Sequence, residues 1–425
     1  MSMSGRLLRI VLILLGPALA AAACRLAPIL NEGHLSPAHT ALIYGGLFLP
    51  LAAGAAAALS ARLPACLFFI LAAGLVMAAQ LRFLDNYFLL VIMTMGINII
   101  FASSLNLVNG YMGEFSCGHG GFMCVGAYVG SLISMAFFTS SKLFGASLLP
   151  PHLAPLLFPL VLIGAGLVSA LFGLLVALPS FRTRGDYLAI ITIAANYIII
   201  SLVENIDFIG GPRGLSGMNK TVGAMREVAE MPWMLIWVLT AVFASIVFLY
   251  RLVGSTYGKS IPAVCQNEIA AEIMGVNTDR VKLTAFMVSS GLAGVAGALY
   301  AHVYSYVNAQ AFSILKSTEA LVMVYMGGMG SLSGVIMAAA AFTLLVEGLR
   351  FAIPFINSLH ILPAGYEISP VWKWVLIPLC LILLMQFRPE GLLGNRELSH
   401  FFPRLNKWMK RTSSEEEPDA HSGNK

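Results

Sequence analysis

RLVGSTYGKSIPAVCQNEIAAEIMGVNTDRVK, residues Arg251–Lys282, is a mixture of charged and small residues set between two strongly apolar runs, 233–250 and 283–305. Each run approaches the ~20 residues that a helix needs to span the hydrocarbon of a bilayer. The stretch therefore reads as a connection between two membrane helices. Arg251, Lys259, Arg280 and Lys282 place it on the cytoplasmic side, where loops rich in Lys and Arg are retained. In its middle, Asn267 to Met274 forms a short helical window closed by Gly275, a residue suited to a helix C-terminus. A helix laid flat beneath a bilayer reads as a surface offered to a partner.

Outward from this loop the composition is uniform. The chain is 58% hydrophobic and 11% charged, against roughly 25% charged residues in soluble domains, and its mean hydropathy is +0.84. These values predict an all-α integral membrane protein. Spans are expected at 7–24, 41–60, 63–81, 87–108, 113–137, 154–178, 187–203, 233–250, 283–305, 332–353 and 371–387, about eleven in all. A further apolar run, 318–329, is too short for an ordinary crossing and suits a broken or half-membrane helix. Counting it as a crossing puts both termini in the cytoplasm, with Arg6, Arg9, Arg62, Arg182 and Arg184 on the same side as the 251–282 loop. Residues 1–24 imitate a secretory signal, but the many spans that follow favour an uncleaved first helix. The net charge of +5 owes much to a basic tail, Arg388 to Arg411, which is ordinary topology control and predicts no nucleic-acid partner. After Asn406 the tail turns polar, and Ser413–Lys425 is expected to be disordered.

The glycines, forty in number, cluster. Ser290, Gly294 and Ala298, at four-residue spacing, give one helix face that a neighbour can approach closely. In GHGGFMCVGAYVG (118–130) and MGGMGSLSG (326–334) they crowd more densely, and each costs up to about 1 kcal/mol against Ala inside a helix. Local unwinding is expected at both. Bare backbone at membrane depth survives where protein or water covers it, so Gly118, Gly120, Gly121, Gly327, Gly328 and Gly330, with the intramembrane Asn106 and Asn196, read either as a translocation path or as structural kinks. The connection 204–232 carries Gly210, Gly211, Pro212 and Gly214, a turn composition that fits an external docking surface or gate, or a linker.

Charged groups inside the spans are few. Glu347 stands three residues before Arg350, a helical spacing that permits a pair. No ladder of Asp, Glu and His marks a proton relay, which weighs against a stand-alone secondary carrier. GSTYGKS (254–260) imitates a phosphate loop, but three residues separate its glycines where that loop needs four, and no strand precedes it. The six cysteines and the histidines lack metal-ligand spacing, and no hydrolase or dinucleotide motif occurs. The chain reads as a transport subunit with no ATP site, cofactor or metal of its own. Nucleotide energy must then come from another subunit.

Several stretches together resemble the permease subunits of branched-chain amino-acid ABC importers, the leucine–isoleucine–valine type. They are LNLVNGYMGEFSCGHGGFMCVGAY (105–128), FRTRGDYLAIIT (181–192), IGGPRGLSG (209–217), NEIAAEIMGVNTDRVKLTAF (267–286), GGMGSLSG (327–334) and FRPEGLL (387–393). The match is better to the longer permease of the family than to its shorter partner. The resemblance implies a permease core at 82–394, added N-terminal helices at 1–81, and a tail at 395–425. It implies that Glu268, Ala270, Ala271 and Gly275 belong to a coupling loop that sits in a cleft of a separate ATPase. It also implies a second homologous permease, two ATP-binding subunits that use the ATP, an extracytoplasmic solute-binding protein, and a bacterial inner-membrane location amid lipid. Branched-chain or related small amino acids are the implied solutes, with urea or short amides as the alternative. The family usually carries a Leu-Ser-Leu-Gly-like sequence where this chain has Phe115-Ser116-Cys117-Gly118.

Overall fold

The computed structural model describes residues 85–139, 145, 147–150, 153–181, 187–228 and 232–358, with isolated positions on either side. The spans expected at 7–24, 41–60, 63–81 and 371–387, and the basic tail, lie outside these residues. Among the described residues, seven helices are long and apolar enough to cross a membrane. They are α1 (Asn86–Asn106, continued by a π-helical turn, Leu107–Tyr111), α2 (His119–Phe138), α3 (Ala154–Ser180), α4 (Tyr187–Glu204), α6 (Trp233–Gly254), α9 (Thr278–Tyr304) and α11 (Leu332–Ser358). The others are α5 (Met218–Val228), α7 (Ser260–Gln266), α8 (Glu268–Ile273) and α10 (Ile314–Gly327). The architecture is an all-α membrane bundle, with every long helix within a few residues of a run expected from sequence.

The core is the packing of α9 against α2 and α3, and small side chains make it possible. A Cβ on Gly126 of α2 would overlap the backbone of Gly294 in α9, one on Gly297 would overlap the Met123 carbonyl, and one on Gly130 would meet the Ala298 methyl at 2.6 Å. Ser169 of α3 seals the junction. Its hydroxyl lies 2.9 Å from the Phe122 carbonyl and 2.8 Å from the Ser290 carbonyl. With no hydrophobic drive between helices in lipid, such contact supplies dispersion energy that larger side chains would forfeit.

The expected unwinding at 118–130 does not occur: α2 is continuous from His119 to Phe138. The helical cost of glycine is measured in water, where a free backbone is hydrated. In hydrocarbon the helix is the cheapest way to satisfy every N–H and C=O. The break lies just upstream, at 112–118, where the chain is non-helical after the π-turn and Gly113 has φ +74°. The second expected break is real. Between α10 and α11, Gly328 and Gly330 adopt φ +102° and +78°. At 14 residues, α10 is about 21 Å long, short of the ~30 Å hydrocarbon core.

The 204–232 connection is more ordered than its composition suggests. Two 3₁₀ turns, Asp207–Ile209 and Gly211–Arg213, lead into β1 (Leu215–Ser216), which pairs antiparallel with β2 (Tyr306–Val307) just past the end of α9. The amphipathic α5 follows, a helix not anticipated from the sequence.

Candidate functional site

Three regions carry the residues singled out in the sequence. The first is the connection between α6 and α9. Asn267 caps α8, its Oδ1 accepting from the Ala270 N–H at 3.0 Å. At the other end Gly275 has φ +86°; its N–H donates to the Glu272 carbonyl at 2.9 Å and the Val276 N–H to the Ala271 carbonyl at 3.0 Å. That pair of bonds is the Schellman closure. Asn277 then caps α9 through the Arg280 N–H at 3.0 Å, and the Thr278 hydroxyl donates to Glu272 at 2.8 Å.

An ionic clamp fixes α8 to the bundle. Lys282 Nζ lies 2.9 Å from Glu268 and 3.0 Å from Glu114, which sits in the break after α1. Ala271 is buried against the chain, while Glu268 and Ala270 face out. Ile269, Ile273 and Met274 are 71%, 80% and 84% exposed. Together they form an apolar surface on a short, doubly capped and clamped helix. The Gly275 backbone has open space around it, so its left-handed φ alone requires glycine there.

The second region joins the broken segments. Asn106, at the end of α1, accepts from the Gly330 N–H at 3.1 Å and donates to the Ser331 carbonyl at 3.4 Å. It thus satisfies backbone freed by the α10–α11 break. Asn109 does the same for Ser116, accepting from its N–H at 3.2 Å, and the Cys117 N–H donates to Thr192 Oγ1 at 3.2 Å. A Cβ on Gly118 would strike the Thr192 backbone, one on Gly120 the Phe312 carbonyl at 2.6 Å, and one on Gly121 the Asn196 amide at 2.8 Å. The Gly120 N–H donates to Ser317 Oγ at 2.8 Å. Asn196 is fully buried and neither of its amide atoms has a partner among the described residues. Gly118, Gly121 and Asn196 are thus brought together where α2 meets α4, while Gly120 faces the start of α10. Asn106, Gly327, Gly328 and Gly330 form a separate cluster, where Gly327 packs on Gly334 and Val335.

At the far end of α9, Gly210, Gly211 and Gly214 adopt φ +95°, +49° and +75°, and Pro212 is exposed. Tyr306 donates to the Arg213 carbonyl at 2.8 Å, and Gln310 to the Glu204 carboxylate. These bonds hold the glycine loop as a fixed surface. The helical pair read from spacing also forms: Arg350 lies 3.7 Å from Glu347, which accepts from the Tyr87 hydroxyl at 2.5 Å. The sequence reading missed the Lys282 clamp, because Glu114 is remote in the chain. It also missed Lys316, which lies 2.7 Å from Glu319; their spacing of three in an otherwise apolar run was the signal available.

A multi-pass helical bundle with a short, glycine-broken segment and a clamped helix between two spans has the build of a transport permease. The chain belongs to the family described as the branched-chain amino acid transport system permease component, whose model matches residues 87–385. It is 32% identical over 325 residues to the high-affinity branched-chain amino acid transport system permease protein LivM of Salmonella typhimurium, a match covering 71% of this chain and 68% of that protein. A probable LivM of Methanocaldococcus jannaschii is 24% identical over 332 residues, 73% of this chain and 94% of the relative. LivH of Salmonella typhimurium, a permease protein of the same kind of system, is 25% identical over 318 residues, 70% and 92% of the two chains. The chain thus resembles the longer permease more than LivH. No solved structure matches it.

Proposed function

We propose that this chain is one of two homologous permeases in an ATP-driven importer of branched-chain or related small amino acids in a bacterial inner membrane. It forms half of the path and is moved by separate ATPases that grip α8 from the cytoplasm. The observation that carries this reading is the apolar face Ile269–Ile273–Met274 on a helix capped at both ends and tied to α9 by Lys282. Such a handle transmits force because it does not give. An ATPase cleft that holds it differently with and without nucleotide biases the helices behind it between two arrangements.

Solute enters from an extracytoplasmic binding protein docked over the Gly210–Gly214 loop and β1. The path opens by movement at the glycine contacts around Gly120, Gly121 and Asn196 and at the Asn106–Gly330 junction. The unpartnered Asn196 amide supports the first of these, since buried polar groups otherwise find partners. Similarity to both LivM and LivH supports a paired permease.

The test uses the assembled transporter in proteoliposomes. Changing Ile273 and Met274 together to Glu leaves insertion and thermal stability intact and reduces solute-stimulated ATP hydrolysis and uptake by about tenfold or more, as loss of a buried interface anchor does. Wild-type hydrolysis and uptake in that variant would overturn the reading.

A further inference from the structure

Three ion-paired groups occur among the described residues, and they do different things. Lys282 joins α8, α9 and the break after α1. Glu347 joins α11 to α1 through Tyr87. Lys316 and Glu319 pair three residues apart on the same helix, α10. That bond lies within one helix, and Lys316 reaches another, α1, through a long 3.4 Å contact with Asn98. Two apolar residues in their place would keep the packing and remove a desolvation cost, since buried ion pairs are commonly neutral or unfavourable for stability. An ionisable pair within a membrane bundle, on a helix shorter than an ordinary span, calls for another role.

The surroundings are polar and incompletely closed. Lys316 and Glu319 keep 15% and 14% of their side-chain surface exposed. Lys316 reaches Asn98 Oδ1 at a long 3.4 Å, and the Asn98 amide donates to Thr343 at 3.0 Å. Tyr304, whose hydroxyl lies 3.0 Å from that of Thr94, stacks with Tyr300 at 4.5 Å between ring centroids, and both tyrosines lie within electrostatic reach of Lys316. Leu315, next to the pair, is 47% exposed. One cation, one anion, hydroxyl-bearing neighbours and an open apolar side chain stand together.

We propose that Lys316 and Glu319 are a recognition site for a zwitterionic amino acid, Lys316 taking its carboxylate and Glu319 its ammonium while Leu315 meets its aliphatic side chain. The proposal rests on the amino-acid permease reading and adds the groups that select for both charges. Without solute the two side chains neutralise each other; solute exchanges one internal ion pair for two intermolecular ones. A neutral amide such as urea cannot make that exchange, so the site favours amino acids over short amides.

The assembled transporter in proteoliposomes provides the test. Lys316→Met and Glu319→Gln each reduce leucine uptake by roughly tenfold or more, the scale expected when one charge of a buried recognition pair is removed; the double variant Lys316→Met/Glu319→Gln, which leaves no unpaired charge, keeps the melting temperature of the complex while uptake stays low. The exchanged variant Lys316→Glu/Glu319→Lys keeps an ion pair but presents it reversed, and uptake stays low. Restoration of uptake by the exchange, or normal uptake in the single variants, would show the pair to be structural. A second measurement needs no variant: leucine protects Glu319 of the wild-type complex from carbodiimide modification, read by mass spectrometry, whereas 4-methylpentanoate and isoamylamine, each lacking one charge, do not. Equal protection by all three, or by none, overturns the site. A wild-type complex that moves urea or short amides but no leucine refutes the amino-acid reading itself, a result distinct from failure of this site.

Discussion

The α2–α3–α9 junction and the α8 loop both depend on glycine, for opposite reasons. At the junction, Gly126, Gly130, Gly294 and Gly297 are ordinary helical residues whose missing side chains let backbones touch. In the loop, a Cβ on Gly275 would meet nothing within 4 Å, and glycine is needed there for its φ of +86°. The first region cannot yield without losing the bundle. The second is built to be rigid in itself while presenting its apolar face outward. The first holds the bundle together, and the second holds an outward apolar face in place.

That contrast can be broken by substitution, and the largest effect belongs to the junction. Gly126→Leu forces atoms into the Gly294 backbone, and the loss reaches or exceeds the top of the ~1–3 kcal/mol range of overpacking; the variant is expected to fail in thermal-unfolding and detergent-extraction assays. Gly275→Val comes next. Its strain is about 1–2 kcal/mol, the cost of a left-handed conformation for an ordinary residue, and it stays local: the bundle melts as wild type while stimulated ATP hydrolysis falls. Gly275→Asn, which tolerates that φ better, recovers most of the activity. Equal damage from Val and Asn would mean that space, rather than conformation, matters there.

The smallest effect lies in the clamp. Lys282→Met leaves Glu114 and Glu268 facing each other without a cation, and at this partly exposed site the stability change is about 1 kcal/mol or less. High salt should narrow the difference between wild type and variant in a melting assay. A loss of several kcal/mol would mean that the clamp is part of the core rather than an attachment.

Much of the fold was legible. The apolar runs at 87–108, 154–178, 187–203, 233–250, 283–305 and 332–353 are helices within a few residues of their expected bounds, because in hydrocarbon a run of that length has one good way to satisfy its backbone. The Gly275 helix end was legible because a left-handed cap selects its residue type directly. The break after α10 was read correctly from glycine density, and the same argument misplaced the break before α2. Composition reports that glycine is needed and not whether it serves a turn or a close approach. Gly328 takes a φ of +102°, whereas Gly126 needs its backbone bare against Gly294.

The sequence by itself determined that this chain crosses a membrane repeatedly as helices, where one loop ends a helix, and which family it resembles, since each follows from local length, polarity and backbone preference. Tertiary structure alone decided that Lys282 joins Glu268 to Glu114, that Asn106 caps the break at Gly330, that Asn196 finds no partner among the described residues, and that Lys316 pairs with Glu319 on its own helix while reaching Asn98 of α1. The reason is separation along the chain. A charge or amide is satisfied by whatever the fold brings within about 3 Å, and residues 168 or 224 positions apart, as in the Glu114–Lys282 and Asn106–Gly330 contacts, carry no mark in the sequence of being neighbours.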